Sequence, residues 1–501
     1  MAVAEGIRTP TDRAVASLEG SAAGVLLGSG LAIASALGVR VVMARSLRPD
    51  DLGAVLLAVA VTSFVGMVAS LGLRSASARR IAERLALGRA TEAVAAARTA
   101  FQLAFATGLL AALLIPLLPL LGLGKLGELS SRVLAGTAPA ALGLSVGVAM
   151  WGISQGHGDT RGRALFRDAG GSALRLAGIL VAALLSGGPV QFALGWGLGS
   201  LAGELSFVAY GARRGWLARN APESRRVDRG LLRSLPPFAG MTLINQVATW
   251  LDIVLLGALA PLVAVGVYGA AQGLSRVLGQ VSDSASHRFL PLASAAVAAG
   301  DEAGLAAGYR RSRQLAFFYL WPALAPCLLC PQALVRVAFG AHYEVAGSAL
   351  RWLALGWLAR SLAGYTEEAL VARGRAGQVL AILLGSTLAT AALFFLSVPH
   401  RGAIGAAIAV AAGQGLRGAA GVALLGATLR REALMPVAFV PLWIAAVPAV
   451  VVALGFLALP AAKVPPVVVL STVVVAALPA ALGPAGSALR ALMRGRRDRP
   501  Q

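Results

Sequence analysis

Apolar runs of about 20 residues recur along the whole chain, and this pattern constrains its fold more than any other feature. Of the 501 residues, 57% are apolar and only 13% are charged, about half the charged share of a typical soluble protein. The pattern predicts an all-α, multi-pass membrane protein with about fourteen transmembrane helices. The predicted spans cover residues 21–43, 52–74, 97–121, 132–155, 168–187, 190–211, 236–259, 262–284, 314–336, 348–371, 376–398, 403–426, 436–458 and 464–489.

The positive charges are distributed unevenly among the predicted loops. The formal net charge is +22, and with a cytoplasmic N-terminus roughly four times as many Lys and Arg residues fall on the cytoplasmic side as on the opposite side. The bias follows alternate loops along the chain, so we predict that both termini are cytoplasmic. No basic stretch is interleaved with aromatic residues, so nucleic acid is not expected as a partner.

Two short sequence features each occur twice, at nearly the same spacing along the chain, and this repetition predicts that the chain consists of two similar halves. Gly53 and Gly266 follow the first and seventh predicted helices, and Gly-Arg pairs at 162–163 and 374–375 follow the fourth and tenth. Each half then holds six helices in the same orientation, as in transporters whose substrate path lies between such repeats. We predict an N-terminal six-helix lobe at 1–211, a basic cytoplasmic linker at 212–235, a C-terminal six-helix lobe at 236–426, and two additional helices with a basic tail at 427–501.

Several arginines lie inside or at the ends of predicted spans, and a charge at mid-depth costs at least about 2.5 kcal/mol. Guanidinium groups match phosphate oxygens and stay charged when desolvated, so these arginines are candidates for binding an anionic head group in a cavity. The candidate cavity residues are Arg276, Arg417, Arg360, Arg175, Arg40 and Arg74, with Gln272 and Gln280 on the helix face of Arg276. The alternative is that the arginines snorkel or pair with Glu204, Asp252, Asp283, Glu367 or Glu368.

Two carboxylates, Glu204 and Asp252, also fall inside predicted spans. Either could carry a coupling proton or hold an arginine as an ion pair. The sequence contains no phosphate-binding glycine loop, metal-spaced histidine pair or nucleophile elbow, so we expect no enzyme activity and no metal or cofactor apart from a coupling H⁺ or Na⁺. We interpret Cys327 and Cys330 as small apolar residues within a helix.

Ordered motifs resemble those of a known family. The strings are ARSLRPDDLG at 44–53, SLGL at 70–73, RRIA at 79–82, LDIVLLG at 251–257, VGVY at 265–268, FGAHY at 339–343, ARGR at 372–375 and GAIGAAIA at 402–409. In this order they resemble the polysaccharide (O-antigen and exopolysaccharide) flippases of the multidrug/oligosaccharidyl-lipid/polysaccharide exporter superfamily, over about residues 18–425. Asp252 lies within the motif of the seventh helix.

The resemblance implies two six-helix lobes around a central cavity, two extra C-terminal helices, and alternating access. It also implies an undecaprenyl-diphosphate-linked oligosaccharide as substrate in a bacterial cytoplasmic (inner) membrane. Membrane lipids, and the glycosyltransferases and polymerase of the same pathway, are the expected partners. The alternatives are a lipid II flippase, a cation-coupled multidrug exporter, a polytopic glycan polymerase or ligase, and a structural membrane protein. A cation exporter would favour an acidic cavity, which the arginines argue against.

Overall fold

The structure is a computed structural model that describes residues 31–121, 131–159, 162–218 and 227–426. Within these ranges every regular element is a helix. The α-helices are α1 (31–46), α2 (Pro49–Ala69), α3 (Leu73–Ala86), α4 (Ala90–Leu114), α5 (Ser131–Thr137), α6 (Pro139–Gly156), α7 (Gly171–Leu184), α8 (Pro189–Arg213), α9 (Arg229–Leu259), α10 (Leu262–Ala298), α11 (Glu302–Leu329), α12 (Pro331–Phe339), α13 (Ala346–Ala363), α14 (Thr366–Ala372) and α15 (Ala376–Gly426). The 3-10 helices Ile115–Leu121 and Ala341–Tyr343 and the π-helix Arg163–Gly170 lie between them.

This architecture confirms the prediction of an all-α, multi-pass membrane protein. By length and composition, 7 stretches of the described helices are long and apolar enough to cross a bilayer. Other predicted spans are shorter or more charged. In the span predicted at 168–187, α7 has only 14 residues, and in the span predicted at 348–371, α13 contains Arg351 and Arg360. The predicted spans at 436–458 and 464–489, and the rest of the region 427–501, lie outside the described residues.

The first helix of the second half begins earlier than the sequence predicted. α9 starts at Arg229, so the last part of the predicted linker at 212–235 is helical. Asp228 caps this helix, because its carboxylate accepts a hydrogen bond from a backbone N–H of the first turn at 3.0 Å. Pro236 and Pro237 therefore lie inside α9, although proline usually disfavours a helix interior. The boundaries of the two lobes stay a prediction.

Two other predicted spans are interrupted. α11 and α12 are separated at Cys330, within the span predicted at 314–336. Cys327 is an ordinary residue of α11, but Cys330 is not inside a helix, which corrects the interpretation of the cysteine pair. Pro331 then opens α12, at a position where the missing N–H of proline would have no partner in any case. α13 ends before Gly364, whose φ of 72° ends the helix.

α15 is a helical hairpin. Its chain reverses at Gly402, where φ is 51°, a left-handed value that favours glycine. Beside the reversal, Ser397 Oγ donates to Gly405 O at 2.9 Å. Farther along, a Cβ added to Gly413 would lie 1.9 Å from Thr390 Oγ1. The two arms therefore pack against each other, and they correspond to the eleventh and twelfth predicted spans.

The two halves meet where α2 crosses α10. A Cβ added to Gly53 would lie 1.9 Å from Leu262 O, and one added to Gly266 would lie 1.9 Å from Pro49 O. Each glycine thus lets its own backbone touch the backbone of the other helix, at positions that the repeat equates. The symmetry of this contact supports the interpretation of Gly53 and Gly266 as members of an internal repeat.

Polar contacts join the halves at both ends of α2. Near its start, Arg45 Nε donates to Ala338 O at 3.0 Å, and Tyr343 OH donates to the backbone carbonyl of residue 47 at 2.9 Å. Beyond its end, in α3, Arg80 Nε lies 2.9 Å from the Asp228 carboxylate that caps α9. The crossing and these contacts fix the second half against the first, and the candidate site lies in that second half.

Candidate functional site

A cavity of about 440 Å³ lies between α9, α10, α13 and α15. Its volume falls in the range of about 300–1,000 Å³ that is usual for small-molecule sites. All of its lining residues fall between positions 248 and 417, so the cavity belongs to the second half. The polar or aromatic side chains that line it are Thr249, Asp252, Tyr268, Gln272, Ser275, Arg276, Trp357, Arg360, Ser386, Thr387, Thr390, Gln414 and Arg417.

One face of α10 supplies a polar wall. Tyr268, Gln272 and Ser275 line the cavity together with Arg276, at spacings of three and four residues that place side chains on one face of a helix. Gln280, one turn beyond Arg276, was predicted on the same face, but it is exposed and does not line the cavity.

Asp252 of α9 is held by neutral donors from this wall. Its Oδ2 accepts hydrogen bonds from Tyr268 OH at 2.8 Å and from Gln272 Nε2 at 2.5 Å. Among the described side chains, no arginine or lysine lies within salt-bridge distance of Asp252. Neutral donors orient a carboxylate without cancelling its charge, so this geometry does not match the predicted alternative of an Asp252–arginine ion pair.

Arg276 contributes a positive charge to the cavity. Its guanidinium carbon lies 4.8 Å from the centroid of the Trp250 ring, a cation–π distance. Trp250 is itself held by its indole N–H, which donates to Gln246 Oε1 at 3.2 Å. In the described part of the chain no carboxylate approaches Arg276 within 4.0 Å. The aromatic ring can stabilise the cation while leaving its N–H groups available to an anion.

Arg360 and Arg417 share one carboxylate. Arg417 forms a forked pair with Glu367, with Nε–Oε1 and Nη2–Oε2 distances of 2.5 and 2.6 Å. Arg360 Nη1 lies 3.7 Å from the same Oε1. The predicted alternative of pairing with Glu367 therefore describes both arginines. Two guanidinium groups on one carboxylate leave an excess positive charge on this wall.

Arg40 approaches the site from the first half. Its Nη1 donates to Gly269 O on α10 at 2.8 Å, and its aliphatic stem runs beside Gly273. Gly269 is adjacent in sequence to Tyr268, which lines the cavity. The guanidinium of Arg40 therefore lies behind the polar wall of α10 and adds to the positive potential there, but it is not a lining residue.

The remaining predicted residues lie in the first half, away from the cavity. Arg74 stacks on Trp151, with its guanidinium carbon 4.0 Å from the ring centroid. Arg175 Nη2 donates to Ser172 Oγ at 2.9 Å. Glu204 is buried, with its Oε2 3.4 Å from the Nε of an arginine in the π-helix. Arg74 and Arg175, like Arg40, do not line the cavity of the second half. That all six arginines bind one anionic head group stays a prediction.

Sequence reasoning missed several residues of the cavity. Tyr268 and Ser275 share the helical periodicity of Gln272 and Arg276, so a longer polar stripe could have found them. Trp357 donates from Nε1 to Ser275 Oγ at 3.0 Å, and this contact joins α13 to α10. No sequence signal identifies Trp357, because its role depends on how two distant helices pack.

The described residues place no group of three or more His, Cys, Asp or Glu side chains where it could hold a metal ion. The polar groups of the cavity are instead hydroxyls, amides, guanidinium groups and one oriented carboxylate. Such a lining can bind phosphate oxygens at its guanidinium groups and sugar hydroxyls at its amides and hydroxyls.

The fold is that of transporters in the multidrug/oligosaccharidyl-lipid/polysaccharide exporter superfamily. The family model described as "Polysaccharide biosynthesis protein" matches residues 21–291. Because this match covers more than half of the chain, the chain belongs to the polysaccharide biosynthesis protein family. No curated protein sequence matches the chain.

Three solved structures show how widely the fold is shared. An inward-facing multidrug resistance MATE family transporter has a TM-score of 0.65 at 18% identity, with 82% of this chain and 98% of that chain covered. The lipid II flippase MurJ, in an inward closed conformation, has a TM-score of 0.65 at 15% identity, with 94% and 99% covered. A superfamily transporter from Pyrococcus furiosus Vc1, for which reverse polarity of the binding pocket suggests a different function, has a TM-score of 0.55 at 20% identity, with 82% and 96% covered.

Proposed function

We propose that this protein is a flippase that moves an undecaprenyl-diphosphate-linked oligosaccharide across the bacterial cytoplasmic membrane by alternating access. The diphosphate binds in the cavity of the second half, where Arg276 meets it. Thr, Ser and Gln side chains of the same cavity receive sugar hydroxyls. Glycosyltransferases of the same pathway supply the glycan, and a polymerase consumes it. Both the N-terminus and the C-terminus of this chain lie in the cytoplasm.

The observation that carries this proposal is the charge of the cavity. Arg276 stacks on the Trp250 ring and has no carboxylate within 4.0 Å among the described residues, and Arg360 and Arg417 both contact Glu367. A cation-binding multidrug exporter would need the opposite polarity. A diphosphate carries at least two negative charges and matches guanidinium geometry.

Asp252 is our candidate for coupling. A carboxylate that is oriented by Tyr268 and Gln272 but not neutralised by an arginine can take up and release a proton or hold Na⁺. Asp252 lies beside the proposed diphosphate site. Its negative charge would oppose anion binding, and uptake of a proton or Na⁺ would permit it. We propose H⁺ or Na⁺ as the coupling ion on this basis.

The test is flipping of a fluorescent lipid-linked oligosaccharide in proteoliposomes. We expect Arg276→Ala to lower the initial rate at least about tenfold, because a hydrogen bond to a charged group contributes about 1.5–3 kcal/mol. Arg276→Lys should restore part of the rate. The matched control is Arg351→Ala, which removes an exposed arginine of α13 outside the cavity and should leave the rate unchanged.

The same vesicles distinguish the alternative substrates. Labelled lipid II carries the same diphosphate on a different glycan, so faster flipping of lipid II would reassign the protein as a lipid II flippase with the same cavity. Transport of an organic cation in preference to either lipid would overturn the proposal. Equal rates for the wild type and Arg276→Ala would remove Arg276 from the mechanism.

A further inference from the structure

Three arginines surround one indole in the first half of the molecule. The guanidinium carbons of Arg74, Arg163 and Arg167 lie 4.0, 4.3 and 4.7 Å from the centroid of the Trp151 ring. We call these four residues the Trp151 cluster. None of them lines the cavity of the second half, so the cluster is a separate feature of the fold.

Close helix packing brings Arg74 to the ring. A Cβ added to Gly152 of α6 would lie 2.4 Å from Arg74 O and 2.2 Å from Ser77 Oγ. The missing side chain lets α3 touch α6 directly, and Arg74 then reaches the neighbouring Trp151. The remaining two arginines come from the π-helix Arg163–Gly170. π-Helices are rare and are frequently found at functional sites.

The cluster has more positive than negative charge. Asp168 lies 3.1 Å from Arg163 Nε, and Glu204 lies 3.4 Å from Arg167 Nε. Arg74 has no carboxylate within 4.0 Å among the side chains that the structure describes. Because all three guanidinium carbons lie close to one ring centroid, no two of them are more than about 9 Å apart, within the screening length of about 8–10 Å. They therefore repel one another and attract an anion.

Buried donors in the cluster lack hydrogen-bond partners. Trp151 Nε1 is shielded from solvent and forms no hydrogen bond within the described structure, whereas buried donors are normally satisfied. Arg167 Nε is also shielded, and its only carboxylate contact among the described side chains, with Glu204 at 3.4 Å, does not have hydrogen-bond geometry. Arg74, in contrast, is exposed. The cluster thus has unsatisfied donors inside and an accessible cation at its edge, which suits a ligand with several acceptor oxygens.

We propose that the Trp151 cluster is a second anion site, which binds a phosphate or diphosphate group. Forked guanidinium donors match the oxygens of such groups, and binding would offset the repulsion among the three arginines. The cluster lies at the ends of α3 and α6 that the charge distribution assigns to the cytoplasmic side. The phosphate then belongs to a lipid head group at that surface or to a soluble anion of the cytoplasm.

In the first test, the full-length protein in phosphatidylcholine nanodiscs is titrated with inorganic pyrophosphate. Isothermal titration calorimetry measures the Kd. All proteins carry Arg276→Ala, which weakens anion binding in the other cavity. We expect Arg74→Gln to raise Kd at least about tenfold. The control Arg79→Gln, an exposed neighbour on the same helix, should change Kd less than twofold. Equal Kd values for the two variants, or no binding at all, would overturn the proposal.

A second readout reports on the ring itself. Pyrophosphate binding should change the tryptophan fluorescence of the protein, and Trp151→Phe should abolish this change while the circular dichroism stays that of the wild type. A fluorescence change that persists in Trp151→Phe would place the anion elsewhere and contradict the proposal. Because glycan flipping is not measured in either experiment, failure here leaves the proposed function standing.

Native mass spectrometry distinguishes the two sources of the phosphate. If a lipid head group occupies the cluster, the wild type should retain more phosphatidylglycerol than Arg74→Gln after detergent exchange, and Arg79→Gln should match the wild type. If the ligand is a soluble anion, all three proteins should retain the same lipid while pyrophosphate binding still depends on Arg74. Either result supports the site.

Discussion

The two halves differ in charge on helices that the predicted repeat relates. The two sequence features of the predicted repeat recur 213 and 212 residues apart, so Gly147 and Glu204 of the first half fall within one residue of the predicted counterparts of Arg360 and Arg417 in the second half. Gly147 lies in α6 and Glu204 in α8, whereas Arg360 lies in α13 and Arg417 in the second arm of α15. The predicted repeat relates these helices, and the second half carries two arginines where the first half carries one glycine and one glutamate.

The space around these charged side chains also differs between the two halves. In the second half, two guanidinium groups converge on Glu367 at the edge of an open cavity. In the first half, a Cβ on Gly147 would lie 1.9 Å from Glu204 Oε2, so the carboxylate occupies the space that a side chain would take. The comparison teaches that one half can hold an open cavity lined by arginines while the other half fills its interior with a carboxylate that pairs with an arginine.

The largest effect should come from breaking the crossing that relates the halves. In Gly53→Ala the added methyl would meet Leu262 O at 1.9 Å, and backbone cannot yield as a side chain can. We expect a loss of about 3 kcal/mol in the free energy of unfolding, measured by thermal unfolding in detergent. The control Gly308→Ala, with nothing within 4 Å of its Cβ, should be neutral or slightly stabilising.

The next effect should come from removing the shared carboxylate of the second half. Glu367→Gln removes the negative charge that Arg360 and Arg417 share, and we expect a loss of about 2 kcal/mol. The control Glu344→Gln breaks an exposed pair with Arg336 and should cost about 0.5 kcal/mol or less. Equal losses in the two variants would show that the cavity wall gains nothing from the shared carboxylate.

Gly147→Ala tests the first half. The new methyl would lie 1.9 Å from Glu204 Oε2, so the side chain of Glu204 must move within a packed interior. We expect a loss of about 1.5 kcal/mol. In the double variant Gly147→Ala/Glu204→Ala this clash is absent, so its loss should be smaller than the sum of the single losses. Strict additivity would mean that Gly147 does not make room for Glu204.

The smallest effect should be a pH dependence of stability that comes from Asp228, which joins the two halves through Arg80. Burial alone would raise the pKa of Asp228, but hydrogen bonds from Arg80 and from backbone N–H groups outweigh burial and lower the pKa. The folded carboxylate therefore binds its proton less tightly than the unfolded one. Its stabilisation is complete above the unfolded pKa of about 3.9 and is lost as the pH falls through the lower folded pKa.

We expect this loss to be about 1 kcal/mol in the wild type between roughly pH 5 and pH 3. It should be absent in Asp228→Asn, whose stability should already be lower at pH 7. Unfolding curves at several pH values provide the measurement. The same acid loss in both proteins would assign the effect to other carboxylates.

The apolar runs and the repeated glycines made the architecture predictable. A run of about 20 apolar residues has few alternatives to a membrane helix. The spacing of Gly53 and Gly266 predicted a repeat, and the symmetric contact of these two glycines is consistent with it. The breaks at Cys330 and Gly364 and the helical start at Arg229 were not predictable, because capping and packing decide them locally.

The candidate cavity was predictable in part. Gln272 and Arg276 share a helix face, so their joint position followed from periodicity. The structure does not bring Arg74 and Arg175 to this cavity, because depth in the membrane says nothing about which half a side chain faces. The Trp151 cluster could not be anticipated, since Trp151 and Arg74 meet only through the contact of α3 with α6 at Gly152.

The most direct test is to locate the diphosphate in a structure of the wild-type protein with its lipid-linked oligosaccharide bound. The account predicts diphosphate density in the cavity of the second half, with an oxygen within about 3.2 Å of an Arg276 nitrogen. Density for the diphosphate outside that cavity, with Arg276 still stacked on Trp250 and touching no ligand, would contradict it.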